Sequence, residues 1–259
     1  MIFRKMTTAL LGFTLCAASA AAAVWPDGKP ITMIVPFPPG SGTDSVARIF
    51  AREMGKRLDT NVIVDNKPGG NGTIAGQNVV RSKPDGYTIL ISTNTPLSAA
   101  PWLMKNVPYD VKKDFTPIAR GGNLPFILIA NSKRPYTSVQ ELISYAKEHP
   151  GKVTYASGNS TGIVSGATLA SKADIDILHV PYKGTPQAIT DLIGGQVDIM
   201  FTDLTSGLPF IESKQVNAFA VTTAERSSLW PELPSMQEAG VADFDVTSWN
   251  GFLGPANMP

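Results

Sequence analysis

The sequence predicts an α/β protein of two lobes, each built on a mostly parallel sheet flanked by helices, with a ligand cleft between them. Three observations predict it. Short runs rich in Ile, Val and Leu alternate with amphipathic helical patterns, the rhythm of a parallel sheet covered on both faces. Several of those runs end in loops of Gly, Ser, Thr and Asn that open a helix. The texture changes near residues 120 and 223, where a proline-rich tail begins, so the chain is expected to cross between lobes twice and to form a hinge. The 259 residues, 43% hydrophobic and 17% charged, are enough for a sizeable core and exclude a disordered or fibrous chain.

Residues 1–23 read as a secretory signal peptide. Arg4 and Lys5 precede a short apolar stretch, followed by the small-residue tract "AASAAAA". Later segments all fall short of the ~20 apolar residues that a membrane-spanning helix needs. Cleavage would deliver the chain to the periplasm and remove Cys16, the only cysteine, leaving no disulfide, thiolate nucleophile or thiolate metal site. It also removes two basic residues and no acidic one, so a formal charge of +1 becomes −1. That balance offers nothing to nucleic acid or to an anionic membrane surface, and any anion must be recognised locally.

Strands are expected at 31–35, 62–65, 88–92, 126–130, 153–156, 176–180, 197–201 and 217–222. The first helix opens near Asp44, with Val46, Ile49, Phe50 and Met54 on its apolar side. A second, at 138–148, carries Val139, Leu142, Ile143 and Ala146 and stops at "HPG". A third is capped by Thr185, with Pro186 in its first turn, and ends at Gly194 and Gly195. The lobes are then 24–120 plus 223–259, and 121–222.

The loop "VPFPPGSGTD" at 35–44 joins the first strand to the first helix. Amides at a helix start have no carbonyl partner, and the helix dipole adds positive potential, so an anion is held without lysine or arginine. Gly40 and Gly42 allow close approach, while Ser41 and Thr43 cap or donate; a capped turn with no ligand is the plainer alternative. The same texture recurs in "NKPGGNGT" at 66–73, "STNTP" at 92–96 and "SGNSTG" at 157–162. Ligands of open sheets collect outside the carboxyl ends of strands, so facing loops, one from each lobe, are expected to hold the two ends of a small di- or polycarboxylate. Asp44 and Asp203 pose a choice between a first-turn acid and a ligand contact, and Lys183 between a countercharge and a solvated lysine.

Ser160 in Gly158-Asn159-Ser160-Thr161-Gly162 fits the GxSxG elbow, which makes an exported serine hydrolase the alternative reading. The two histidines, His149 and His179, do not supply the distant downstream base of that arrangement. "GSGTDS" lacks the third glycine of a dinucleotide fingerprint. With two histidines and no ligand cluster, neither a metal site nor a cofactor is expected.

"ITMIVPFPPGSGTDSVAR", "VIVDNKPGGNGTIAGQNV", "SKPDGYTILIST", "VPYKGTPQAITDLIGGQVDIMF" and "AFAVTTAERSSLWPELPSMQEAG", in this order, resemble the extracytoplasmic solute-binding receptors of tripartite tricarboxylate transporters, the Bug (TctC-like) family. The resemblance implies a two-lobed, periplasmic-binding-protein-like fold and no catalysis. The ligand would be a small di- or tricarboxylate or an aromatic acid. Partners would be the membrane subunits of the transporter, or a sensor kinase, with the receptor itself a monomer. By position it places Phe37, Gly40, Ser41, Gly42, Thr43 and Asp44 at the ligand from the first lobe. From the second it places Ser157, Gly158, Asn159, Ser160, Thr161 and Gly162. Asn94, Thr95 and Asp203 would shape the pocket. Family members continue beyond "WNGFLGPANMP", so the first lobe is expected to be truncated at its C-terminal part.

Overall fold

A computed structural model describes residues 25–259; the expected signal peptide at 1–23 lies outside the described residues. The first lobe contains β1 (Ile31–Val35), α1 (Gly42–Leu58), β2 (Val62–Asn66), α2 (Thr73–Val80), β3 (Thr88–Thr93), a short α3 (Ala100–Leu103) and β4 (Phe115–Leu124). The second contains β5 (Phe126–Asn131), α4 (Val139–Glu148), β6 (Val153–Ser157), α5 (Ser160–Ala173), β7 (Ile177–Pro181), α6 (Thr185–Gly194), β8 (Ile199–Asp203), α7 (Leu204–Glu212) and β9 (Val216–Val221). Strand β10 (Ser248–Pro255) returns to the first lobe.

Two five-stranded sheets result, ordered β2-β1-β3-β10-β4 and β7-β6-β8-β5-β9. Each is mixed in the same way: one strand, β10 in the first and β5 in the second, runs against the others. Both faces of each sheet are covered, which is why these strands are near-continuous apolar runs. On the first sheet Ile31, Met33 and Val35 pack beneath Ala47 and Ala51 of α1, while Ile34 and Leu90 face Ala75 and Val79 of α2. On the second, Leu128 and Phe201 meet α4 and α5, and Ile127 and Met200 meet α6.

The expected strands all form, within two residues of their predicted bounds. Strands β4 and β10 were not expected. Their sequences, "FTPIARGGNL" and "SWNGFLGP", carry the Gly and Pro that weaken strand propensity. β4 tolerates Pro117 as an edge strand, and β10 absorbs its glycines through irregularities at Asn250/Gly251 and Phe252/Leu253. Thr185 does not cap α6. It is the first helical residue, and Gly184 occupies the cap position without a side-chain hydrogen bond. A Cβ at Gly184 would lie 2.7 Å from the Pro38 ring of the other lobe, which leaves no room for a capping side chain.

The lobe boundaries also differ from those expected. The first crossing falls between Leu124 and Phe126, because β4 completes the first sheet. The second falls near Ser248 rather than 223. Residues 223–246 pack on the second lobe, where Met236, Ala239, Val241 and Phe244 are buried with Phe201 and Phe219. Ser235 bridges Val221, and the Val246 amide donates to the Thr222 carbonyl at 2.9 Å. The proline-rich texture concealed four apolar residues that only this core can bury.

Phe244 is fully buried and stacks on Phe201, with ring centroids 6.1 Å apart. Phe244→Ala is expected to cost about 3–5 kcal/mol in urea unfolding and to raise amide exchange in β5 and β8 while sparing β1 and β3. Exchange rising in β1 instead would return the segment to the first lobe.

Candidate ligand cleft

The loop between β1 and α1 is held by its own side chains. Ser41 caps α1, its Oγ accepting from the Asp44 amide at 3.3 Å. Asp44 is buried, and its carboxylate is saturated: Oδ2 accepts from the Gly40 amide (2.9 Å) and Arg48 Nε (3.0 Å), and Oδ1 from Arg48 (3.0 Å) and Asn66 Nδ2 (2.9 Å). Asn66 also donates to the Phe37 carbonyl at 2.9 Å. Burial alone would push the Asp44 carboxyl up, but hydrogen bonds from Arg48, Gly40 and Asn66, with the Arg48 charge, outweigh it and hold it below the ordinary aspartate value. Asp44 therefore braces the loop from behind and lines neither opening of the cleft, and the Gly40 amide is already spent on it.

In front of the loop lies a crevice of about 10 Å³, bordered by Ser41, Gly42 and Thr43 of the first lobe and by Asp203 and Thr185 of the second. That volume admits at most one water. Asp203 fills the position instead. It caps α7, accepting from the Ser206 amide (2.8 Å) and hydroxyl (2.9 Å). Burial pushes its carboxyl up, against the opposing pull of the two Ser206 bonds.

Beside the crevice opens the main cavity, about 630 Å³, within the range of small-molecule sites. Phe37 and Thr95 line it from the first lobe, and Ser157, Gly158 and Asn159 from the second. Asn159 caps α5, its Oδ1 accepting from the Gly162 amide at 3.0 Å. Ser160 and Thr161 are buried and serve the seam between the lobes: the Ser160 and Thr95 hydroxyls are 2.8 Å apart, and Asn94 Nδ2 donates to Thr161 Oγ1 at 3.0 Å. Asn94 Oδ1 in turn accepts from the Ser248 hydroxyl at 2.6 Å.

The sequence reading left several cavity residues out of its site. Pro68, Gly69, Gly70, Asn71 and Gly72 form one wall, and Ile163, Pro181, Tyr182 and Lys183 another. Gly69, Gly70, Asn71 and Gly72 all have positive φ, from 52 to 121°, a left-handed turn closed by the Gly72 amide on the Gly69 carbonyl at 2.9 Å. The signal was the "PGGNG" run itself, identified as a polar helix opening but not followed into the site. Lys183 is the only charged side chain on the cavity wall among the described residues. The Tyr182 hydroxyl donates to Asp191 at 2.8 Å; its burial and that carboxylate push it up to about 12.

Neither histidine reaches Ser160. His179 Nε2 lies 2.6 Å from Ser157 Oγ and its ring stacks on Tyr155, while His149 Nδ1 faces the Tyr145 carbonyl. Burial holds the His179 imidazole below its ordinary value. Among the described residues no group of three His, Cys, Asp or Glu is placed to hold a metal ion, and no helix is long and apolar enough to cross a membrane.

Two α/β lobes around a cleft walled by amides, hydroxyls and proline rings define a solute-binding protein. The chain belongs to the tripartite tricarboxylate transporter family receptors (TctC), whose family profile matches residues 46–259. The solved structure of R. palustris Rpa4515 with adipate superposes with a TM-score of 0.88 at 32% identity, over 91% of this chain and 79% of that one. The periplasmic binding protein BugD gives 0.82 at 38% identity, over 89% and 77%. MatC (Rpa3494) from Rhodopseudomonas palustris with bound malate gives 0.81 at 31% identity, over 89% and 79%.

Two outcomes test this geometry. Asp44→Ala leaves the Gly40 amide without its acceptor and takes one of two acceptors from Asn66, and is expected to cost roughly 1–3 kcal/mol at neutral pH. Because the folded-state carboxyl is held low, its contribution is present above the ordinary aspartate range and is lost as pH falls through the folded value. Urea midpoints of wild type and Asp44→Ala should therefore converge in acid. A fluorophosphonate probe is expected to leave Ser160 unlabelled, with wild type and Ser160→Ala indistinguishable by mass spectrometry.

Proposed function

We propose that this protein is a periplasmic receptor that captures a small organic carboxylate in the 630 Å³ cavity and presents it, as a closed monomer, to the membrane subunits of a tripartite transporter or to a sensor kinase. The observation that carries this reading is the pairing of walls. The turn of Gly69, Gly70, Asn71 and Gly72 and the start of α5 at Gly158 and Asn159 line one cavity together, with Lys183 on its wall. The amides at a helix start and the Lys183 ammonium both favour an anion. Between them, Phe37, Pro38, Pro181 and Ile163 provide an apolar corridor for a carbon skeleton.

Linear dicarboxylates fit this arrangement best, with one carboxylate at each wall or one beside Lys183. The adipate and malate complexes of the two similar proteins support that choice, as does the secretory pattern of residues 1–23. A few charge-assisted hydrogen bonds of about 1.5–3 kcal/mol each, offset by the cost of association, correspond to roughly micromolar affinity.

Isothermal titration with adipate, malate and a monocarboxylate such as benzoate tests the reading. Adipate or malate is expected to bind in the micromolar range. Lys183→Gln is expected to weaken the dicarboxylate by about 3- to 10-fold, a modest effect because the lysine is solvent-exposed. No heat with any carboxylate, across a library of them, would sink the proposal.

A further inference from the structure

Asp203 stands where the first lobe's loop was expected to receive its ligand. It ends β8 in the second lobe, is 3% exposed and caps α7 through Ser206. The cap explains the residue type but not where the carboxylate rests, which is on the backbone of Gly42 in the opposite lobe. A Cβ at Gly42 would lie 2.0 Å from Oδ1, 2.4 Å from Cγ and 2.7 Å from Oδ2 of Asp203, and these atoms are its nearest neighbours. Gly42 is absent from the glycines with positive φ, so its own backbone does not call for glycine. The need arises from the other lobe. Gly42 is the first residue of α1, where first-turn amides lack intrahelical acceptors and the dipole favours an anion. The nearest acid of the first lobe, Asp44, is turned away and saturated by Arg48, Asn66 and Gly40.

We propose that Asp203 is the closure latch of this protein: carried by the second lobe, its carboxylate seats on the first turn of α1 and holds the lobes together without solute. The protein's own side chain thereby occupies the seat that an external carboxylate would need at the "GSGT" loop, and solute is left the larger cavity alone. The ligand-free protein is then already partly closed, and solute shifts a population rather than creating one. This goes beyond the carboxylate reading, whose failure would leave it standing.

Small-angle X-ray scattering of the ligand-free protein is the test, because it needs no ligand. Gly42→Ala preserves α1, alanine being the better helix former, but its methyl group collides with the latch. It is expected to raise the radius of gyration by roughly 1 Å over the ~18 Å of a compact chain this long, with unchanged far-ultraviolet circular dichroism. Asp203→Asn keeps the shape and an acceptor for the Ser206 amide, and is expected to expand the protein to a smaller extent. Asp203→Ala in the Gly42→Ala background removes the colliding carboxylate and is expected to return the radius to that of Asp203→Ala alone. Equal radii for wild type and Gly42→Ala would overturn the latch. Expansion in Gly42→Ala with none in Asp203→Asn would overturn the role of the charge and leave a steric contact.

Discussion

Peptide N–H groups in the first turn of a helix find no carbonyl along their own chain, and the organisation of this cleft follows from how each such group is answered. At α1 the answer is the Ser41 hydroxyl, with the Asp203 carboxylate packed against Gly42 from across the seam. At α5 the answers are Asn159 and the Thr95 hydroxyl, which accepts from the Ser160 amide at 3.3 Å. At α7 Asp203 serves again, through Ser206. The start of α5 is thus satisfied partly by a side chain of the other lobe, and that of α1 is packed against one.

The chemistry of that seam suits a protein that opens and closes. Each lobe has its own apolar core on both faces of its sheet, so separation exposes little hydrocarbon. The bonds joining the lobes are mainly between hydroxyls and amides: Thr95 with Ser160, Asn94 with Thr161. Neutral hydrogen bonds of this kind contribute about 0.5–1.5 kcal/mol net, because water replaces them on opening. Thr95 borders both the crevice and the main cavity, so a residue that holds the seam also lines the larger space.

The strand–loop–helix rhythm was legible because both faces of each sheet are buried, which turns strands such as "FILIAN" into uninterrupted apolar runs. Strands β4 and β10 were not legible: Pro117, Gly121 and Gly254 argue against strand locally, and pairing partners far along the chain override them. The cleft was read in part. Phe37, Thr95, Ser157, Gly158 and Asn159 do line the cavity. Asp44 does not, because Arg48 and Asn66 turn its carboxylate inward, and Ser160 and Thr161 are drawn into the seam by Thr95 and Asn94.

Sequence alone determined which loops begin helices and carry the glycine and hydroxyl chemistry of anion recognition, since caps, turns and apolar periodicity are local properties of a few neighbouring residues. It also determined that two sheets form and that the net charge lies near zero. Tertiary structure alone decided which of those loops line the cavity and which face each other. Asp203 and Gly42 are 161 positions apart in the chain, and no local pattern records that the carboxylate of one lies against the backbone of the other. That contact arises from the packing of two lobes, and it makes the "GSGT" loop part of the seam.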